Sequence, residues 1–186
     1  MDKFFGNLHA VLAVGVILAV ALLFEPSYAG RDVAISIFQW LHVFFGITWI
    51  GLLYYFNFVQ IPTMPAIPAE LKPGVSKYIA PKALLFFRWA AVFTVLTGAT
   101  LAWLYAELVE ALTLQESHRL IGIGMWLALV MALNVWAVIW PNQKKVLGIV
   151  PADDAAKARA AKTAMIASRI NTMLSIPMLL CMVAFR

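Results

Sequence analysis

The chain has 186 residues, 63% of them hydrophobic and 12% charged, with a mean hydropathy of +0.88 and a formal net charge of +5. That profile excludes an ordinary soluble domain, and the basic excess is accounted for by short loops, so nothing in it calls for nucleic acid. Cys181 is the only cysteine, which excludes an internal disulfide, a CxxCH heme attachment and a cysteine-ligated iron–sulfur cluster, so any cofactor must be held by other ligands.

Taken in chain order, the first apolar segment is about 9–24. It is preceded by Lys3 and followed by "SYAG" at 27–30, which together resemble a secretory signal with a small-residue cleavage site. With the chain starting at Met1, a retained first helix is expected, with His9 as an interfacial residue at its inner end. The second segment, 34–60, contains "WLHVFFGITWIGLLYYFNF", where His42, Gly46, Trp49 and Leu53 repeat at the spacing of one helix face. Residues 61–82, "IPTMPAIPAELKPGVSKYIAPK", hold five prolines and are expected to be an extended, stiff connection. The third segment, 83–106, carries Arg88 in "LLFFRWAAVF", and "ELVEALTLQE" then adds Glu107, Glu110 and Glu116.

The fourth segment, 119–140, follows His118 and contains Gly122, Trp126 and Asn134. Residues 152–164, "ADDAAKARAAKTA", place acidic residues before basic ones in an alanine-rich run, the order the helix dipole favours, and should extend the fifth segment, 163–184, beyond the membrane. That fifth segment contains Arg169 and Asn171. At about 1.5 Å per residue against roughly 30 Å of hydrocarbon, these five segments predict an all-α integral membrane bundle of five transmembrane helices, a single domain over 1–186 with its core at 34–184.

A cytoplasmic N-terminus puts Lys3, Lys72, Lys77, Lys82, Lys144, Lys145, Lys157, Arg159 and Lys162 inside and leaves Arg31, Arg119 and Arg186 outside, as the positive-inside rule requires. The C-terminus is then periplasmic and the location the bacterial inner membrane. Helices two and four also share a loose pattern: His42, Gly46, Trp49, Asn57 and Pro62 against His118, Gly122, Trp126, Asn134 and Pro141, each followed by a helix with one arginine. Two parallel helix-pair repeats, 2–3 and 4–5, would produce it; so would chance similarity between two membrane helices.

Both histidines then lie toward the outer face, each with a glycine one turn below, which leaves a flat space beside the imidazole. Neutral imidazole ligates iron, and heme b asks for one or two histidines with apolar and aromatic walls. His42 and His118 are therefore the candidate iron ligands, with Gly46, Trp49 and Gly122 as their setting. Zinc suits the pattern less, since three or four ligands at one depth are needed. The plainer alternative is that His42 hydrogen-bonds a neighbouring helix. In the inner half, Arg88 and Arg169 are expected to be buried and to need anionic or carbonyl partners, with lipid phosphate, heme propionate or an anionic substrate as candidates and Asn134 and Asn171 as further contacts. The asparagines also suit plain interhelical hydrogen bonding.

The stretches "WLHVFFGITWIGLLYYFNF", "NVWAVIWPNQKKVLG" and "ASRINTMLSIPMLLCMV", over roughly residues 36–183, together resemble the membrane domain of the bacterial urate hydroxylase (urate oxidase) family, whose members often carry a C-terminal cytochrome c domain. The first stretch is also similar to heme-binding membrane protoporphyrinogen oxidase and to copper-resistance membrane proteins. The resemblance implies a functional role for His42, set among Gly46, Trp49 and Gly51, and marks Asn134, Pro141, Asn142, Gln143, Lys144, Arg169 and Asn171 as pattern positions. It departs where the family has a histidine after the last-helix arginine and this chain has Ile170. The expected function is thus a b-type heme-binding membrane protein in redox or electron transfer. Its expected partners are the lipid bilayer, a periplasmic cytochrome c or a larger membrane complex, and a second copy in a homo-oligomer. The alternatives are a non-catalytic subunit or assembly factor of a respiratory complex and, less favoured, a transporter.

Overall fold

The structure is a computed structural model, described over residues 2–28, 30 and 32–184. Met1, Ala29, Arg31, Phe185 and Arg186 lie outside the described residues. All described elements are helical, and the chain divides into two compact units, residues 1–37 and 38–186. The elements are α1 (Asp2–Phe5), α2 (Leu8–Leu22), α3 (Val33–Ala66), α4 (Lys72–Leu104), α5 (Leu108–Leu112), α6 (Glu116–Val146) and α7 (Asp154–Ala184). Of these α3, α4, α6 and α7 are long and apolar enough to cross a membrane. Helix α2 is apolar but has 15 residues, about 22 Å at 1.5 Å per residue and shorter than a hydrocarbon core of roughly 30 Å. Asn7 caps it, its Oδ1 accepting from the backbone N–H groups of His9 and Ala10.

In the second unit apolar side chains face outward as well as inward, and several polar ones are buried. Asn171 and Ser175 are fully buried and Thr94 and Thr97 nearly so, while Ile47, Phe58, Leu133, Ile176 and Val183 point outward. Where lipid replaces water, an outward isoleucine costs nothing, and buried side chains are selected for close packing and hydrogen bonding instead. The centre is built from Trp49, Leu53 and Phe56 of α3, Leu84, Phe87 and Ala91 of α4, Met131 and Val135 of α6, and Ala167 and Met178 of α7.

The proline-rich stretch expected to be extended is mostly helix. Pro62, Pro65, Pro73 and Pro81 each occupy one of the first two positions of a helical turn, where a missing N–H breaks no bond, and only residues 67–71 leave the helical conformation. Three π turns make this possible: Tyr55–Gln60, Val75–Ile79 and Val135–Ile139. Each closes with an i to i−5 bond, Ile61 to Phe56, Ala80 to Val75 and Trp140 to Val135, and in each case the next residue is proline. The wider turn gives the pyrrolidine ring the room that a regular α-turn denies it.

The alanine-rich stretch does extend α7, which runs unbroken for 31 residues from Asp154, with Asp153 Oδ1 accepting from the Ala156 N–H. The loop between α4 and α6 folds into α5, entered and left through left-handed residues, Ala106 at φ 57° and Leu114 at φ 56°.

Candidate functional site around His42

His42 lies two turns above Trp49 on α3, and its imidazole is held by α4. The carbonyl of Thr94 lies 2.9 Å from Nδ1. A carbonyl can only accept, so this contact places the proton of the neutral ring on Nδ1 and the lone pair on Nε2. That carbonyl also accepts from the Thr97 hydroxyl at 3.2 Å. Nε2 has no hydrogen-bond partner among the described residues.

The ring sits on Gly98, where an added Cβ would come within 2.6 Å of its Cε1 and 2.9 Å of Nδ1. Gly98 is thus the glycine that admits the imidazole, while beside Gly46 a Cβ would meet only Thr94 Cγ2 at 3.9 Å. Phe45 stacks on Phe93 with centroids 5.0 Å apart, and Trp49 is fully buried below with its Nε1 unpaired. A tryptophan holding an unsatisfied N–H in the centre shows that shape, rather than hydrogen bonding, fixes it there.

His118 sits in a different kind of place. It ends the 3-10 turn Glu116–His118 that opens α6, with Nδ1 2.8 Å from Ser117 Oγ and Nε2 3.7 Å from Glu107 Oε1. Both ring nitrogens face protein groups at the α5–α6 corner. The space expected beside Gly122 is occupied: a Cβ there would run into the carbonyl oxygen of Ala111 and the side chain of Leu114. Trp126 caps the same corner, donating to the Leu112 carbonyl at 3.0 Å.

Below His42 a polar seam joins α3, α6 and α7. Tyr54 OH pairs with Ser175 Oγ at 3.0 Å, and Asn57 Nδ2 donates to Ser168 Oγ at 2.8 Å. Asn134 Nδ2 donates to the Ala167 carbonyl at 2.9 Å and to Asn171 Oδ1 at 2.7 Å, and Asn171 Nδ2 donates to the Met131 carbonyl at 3.0 Å. So the asparagines matched between α3 and α6 both bond to α7. The shared sequence pattern marks a shared π turn, whereas the two histidines meet unlike partners.

The two arginines part company. Arg88 is 9% exposed, its guanidinium carbon 3.5 Å from the centroid of the Trp140 ring and 5.9 Å from that of Trp136. Arg169, expected to be buried as well, is exposed: Ser168 and Asn171 take the inward face of α7, and the helical repeat turns 169 and 170 away from it.

A heme iron asks an axial histidine for a free nitrogen lone pair and an outer partner that fixes the ring, commonly a carbonyl on the other nitrogen. His42 meets both conditions. His118 does not meet the first, since both of its ring nitrogens face protein groups. Thr94, Gly98, Trp136 and Trp140 were not singled out as site residues from the sequence. Gly98 lies 56 positions from the histidine it seats, and Thr94 acts through its backbone, which leaves no mark on residue type.

No curated protein and no solved structure matches the chain. The urate oxidase N-terminal family matches residues 108–185, from the start of α5 through α7. That segment holds His118, Asn134, Arg169 and Asn171, while His42 and Arg88 precede it. Over this segment, somewhat less than half of its length, the chain is similar to the urate oxidase N-terminal family.

Proposed function

We propose that the chain is the membrane part of a b-type heme redox system related to urate oxidation, with His42 as an axial ligand through Nε2. The observation that carries this reading is the 2.9 Å contact of His42 Nδ1 with the Thr94 carbonyl, which leaves Nε2 with its lone pair and no partner among the described residues. Bound heme iron supplies one-electron redox chemistry. The protein's share is to fix the tautomer through Thr94 and to seat the ring on Gly98. His118, paired with Glu107, holds the α5–α6 corner in this reading.

The basic residues around Lys72–Lys82 and Lys144–Lys162 flank one end of the four long helices, which supports placing that end inside a bacterial inner membrane and His42 toward the periplasm. A heme held there would exchange electrons at the outer face with a periplasmic cytochrome c or a larger membrane complex. The family match makes urate the first substrate to assay.

The test is the absorption spectrum of the purified full chain expressed with heme supply. A Soret band and a reduced α-band are expected, lost in His42→Ala and retained in His118→Ala. A wild-type protein without a Soret band overturns the reading and favours a non-catalytic subunit of a larger complex.

A further inference from the structure

Arg88 and Lys144 converge on one indole. The guanidinium carbon of Arg88 on α4 is 3.5 Å from the Trp140 ring centroid, and Lys144 Nζ on α6 is 6.0 Å from the same centroid. Arg88 is more than nine-tenths buried, and its Nε has no hydrogen-bond partner among the described residues. Among the described residues the ion pairs are His118–Glu107 and Lys157–Asp154, so no carboxylate answers either cation.

The ring does not complete this arrangement. A cation–π contact is worth about 0.5–2 kcal/mol, but it accepts none of the guanidinium's five N–H donors, and two like charges beside one ring repel. The Nε edge of a guanidinium is built for bidentate binding of an oxyanion, and a neighbouring ammonium adds a point charge. Trp136 lies within the π turn Val135–Ile139 and Trp140 directly follows it, and both rings lie within 6 Å of the guanidinium carbon. The helix thus carries a costly widened turn where its aromatic wall is assembled.

We propose that Arg88 and Lys144, walled by Trp140 and Trp136, form a phosphate-binding site at the basic end of the bundle. The phosphate comes either from an anionic phospholipid headgroup or from a free phosphate ion. The site is separate from the His42 site: Thr94 and Gly98 of α4 meet α3, whereas Arg88, six residues before Thr94, meets α6. It therefore stands whether or not the chain carries heme. The surrounding lysines, Lys72, Lys77 and Lys82, raise the local concentration of anionic headgroups.

Titration calorimetry of the detergent-purified full chain, with short-chain phosphatidylglycerol in one arm and inorganic phosphate in the other, tests this. Saturable binding is expected, weakened about ten-fold or more by Arg88→Gln and by Lys144→Gln, the loss of one charge-assisted hydrogen bond. Lys145→Gln removes the same charge from the adjacent position and should leave the affinity unchanged. Binding of phosphatidylglycerol alone assigns the lipid as the source, and binding of inorganic phosphate assigns the free ion. No saturable binding in either arm overturns the site, as does a Lys145→Gln loss equal to that of Lys144→Gln. The Lys144 and Lys145 comparison decides the matter even where Arg88→Gln yields no folded protein.

Discussion

Asn134 and Asn171 bond across α6 and α7, Asn134 Nδ2 donating to Asn171 Oδ1 at 2.7 Å while Asn171 spends its own amide on the Met131 carbonyl at 3.0 Å. Asn171 is fully buried, so its alternative partner in an unfolded, membrane-embedded state is another polar group rather than water. That limits the worth of the contact to about 0.6 kcal/mol, with an upper bound of about 1.7 kcal/mol. Asn171→Ala should lower resistance to unfolding in mixed micelles, and a double-mutant cycle with Asn134→Ala should return a coupling of this size. A coupling of zero would show that Asn134 is satisfied by the Ala167 carbonyl alone.

The glycines on either side of His42 make opposite predictions. Gly98→Ala drives a methyl into the imidazole, whereas Gly46→Ala meets only Thr94 Cγ2 at 3.9 Å. The histidine must leave its bond to Thr94 or α4 must move, and overpacking of this kind costs about 1–3 kcal/mol. Gly98→Ala is expected to destabilise the bundle by about that amount and, where heme is bound, to shift or abolish the Soret band; Gly46→Ala should do neither. Equal spectra for the two variants would place the ligand elsewhere.

What could be read in advance follows from what each feature depends on. The four long spans rest on apolar length, a property of the residues themselves, and α7 was legible down to its alanine-rich start at Asp154. The proline stretch 61–82 misled because proline's effect depends on its place in a turn: at Pro62 and Pro81 it follows a π turn that no residue type announces. His42 stood out as a costly group in lipid, yet its partner is a main-chain carbonyl and its seat a glycine 56 positions further on. His118 and Gly122 carried the same spacing as His42 and Gly46, but α5 folds over them, and nothing in a local pattern shows which helix lies across a face. Arg88 and Arg169 were alike in sequence and differ because only Arg88 meets the tryptophans of α6.

Gly122 makes a sharper test of the α5–α6 corner than either histidine. A Cβ at Gly122 collides with the main-chain carbonyl of Ala111, and a backbone atom, unlike the end of a flexible side chain, cannot swing aside. Gly122→Ala should therefore cost about 3 kcal/mol, read as lost resistance to unfolding or lost yield. Gly51→Ala, with nothing within 4 Å of the added methyl, should stay within about 0.5 kcal/mol of the wild type. A tolerated Gly122→Ala would mean that α5 does not lie across α6.

Three helix ends use the same closure with different residues. After α4, Glu107 N–H bonds the Ala102 carbonyl; after α5, Gln115 N–H bonds Glu110; after α6, Ile149 N–H bonds Lys144. The left-handed residue is Ala106, Leu114 and Gly148 respectively. A side chain in that conformation costs about 1–2 kcal/mol, partly offset because glycine in the unfolded chain has more freedom to lose, worth about 0.4–1 kcal/mol. Ala106→Gly should accordingly stabilise the protein by about 0.5 kcal/mol and Gly148→Ala destabilise it by about 1 kcal/mol, opposite signs from inverse substitutions at equivalent positions. Leu114→Gly should break the pattern and destabilise, because the Leu114 side chain lies against Gly122 and its loss removes an apolar contact that the relieved strain does not replace. Thermal unfolding of the three variants in one detergent checks all three signs, and a stabilising Leu114→Gly would show that the contact over Gly122 contributes less than the left-handed strain.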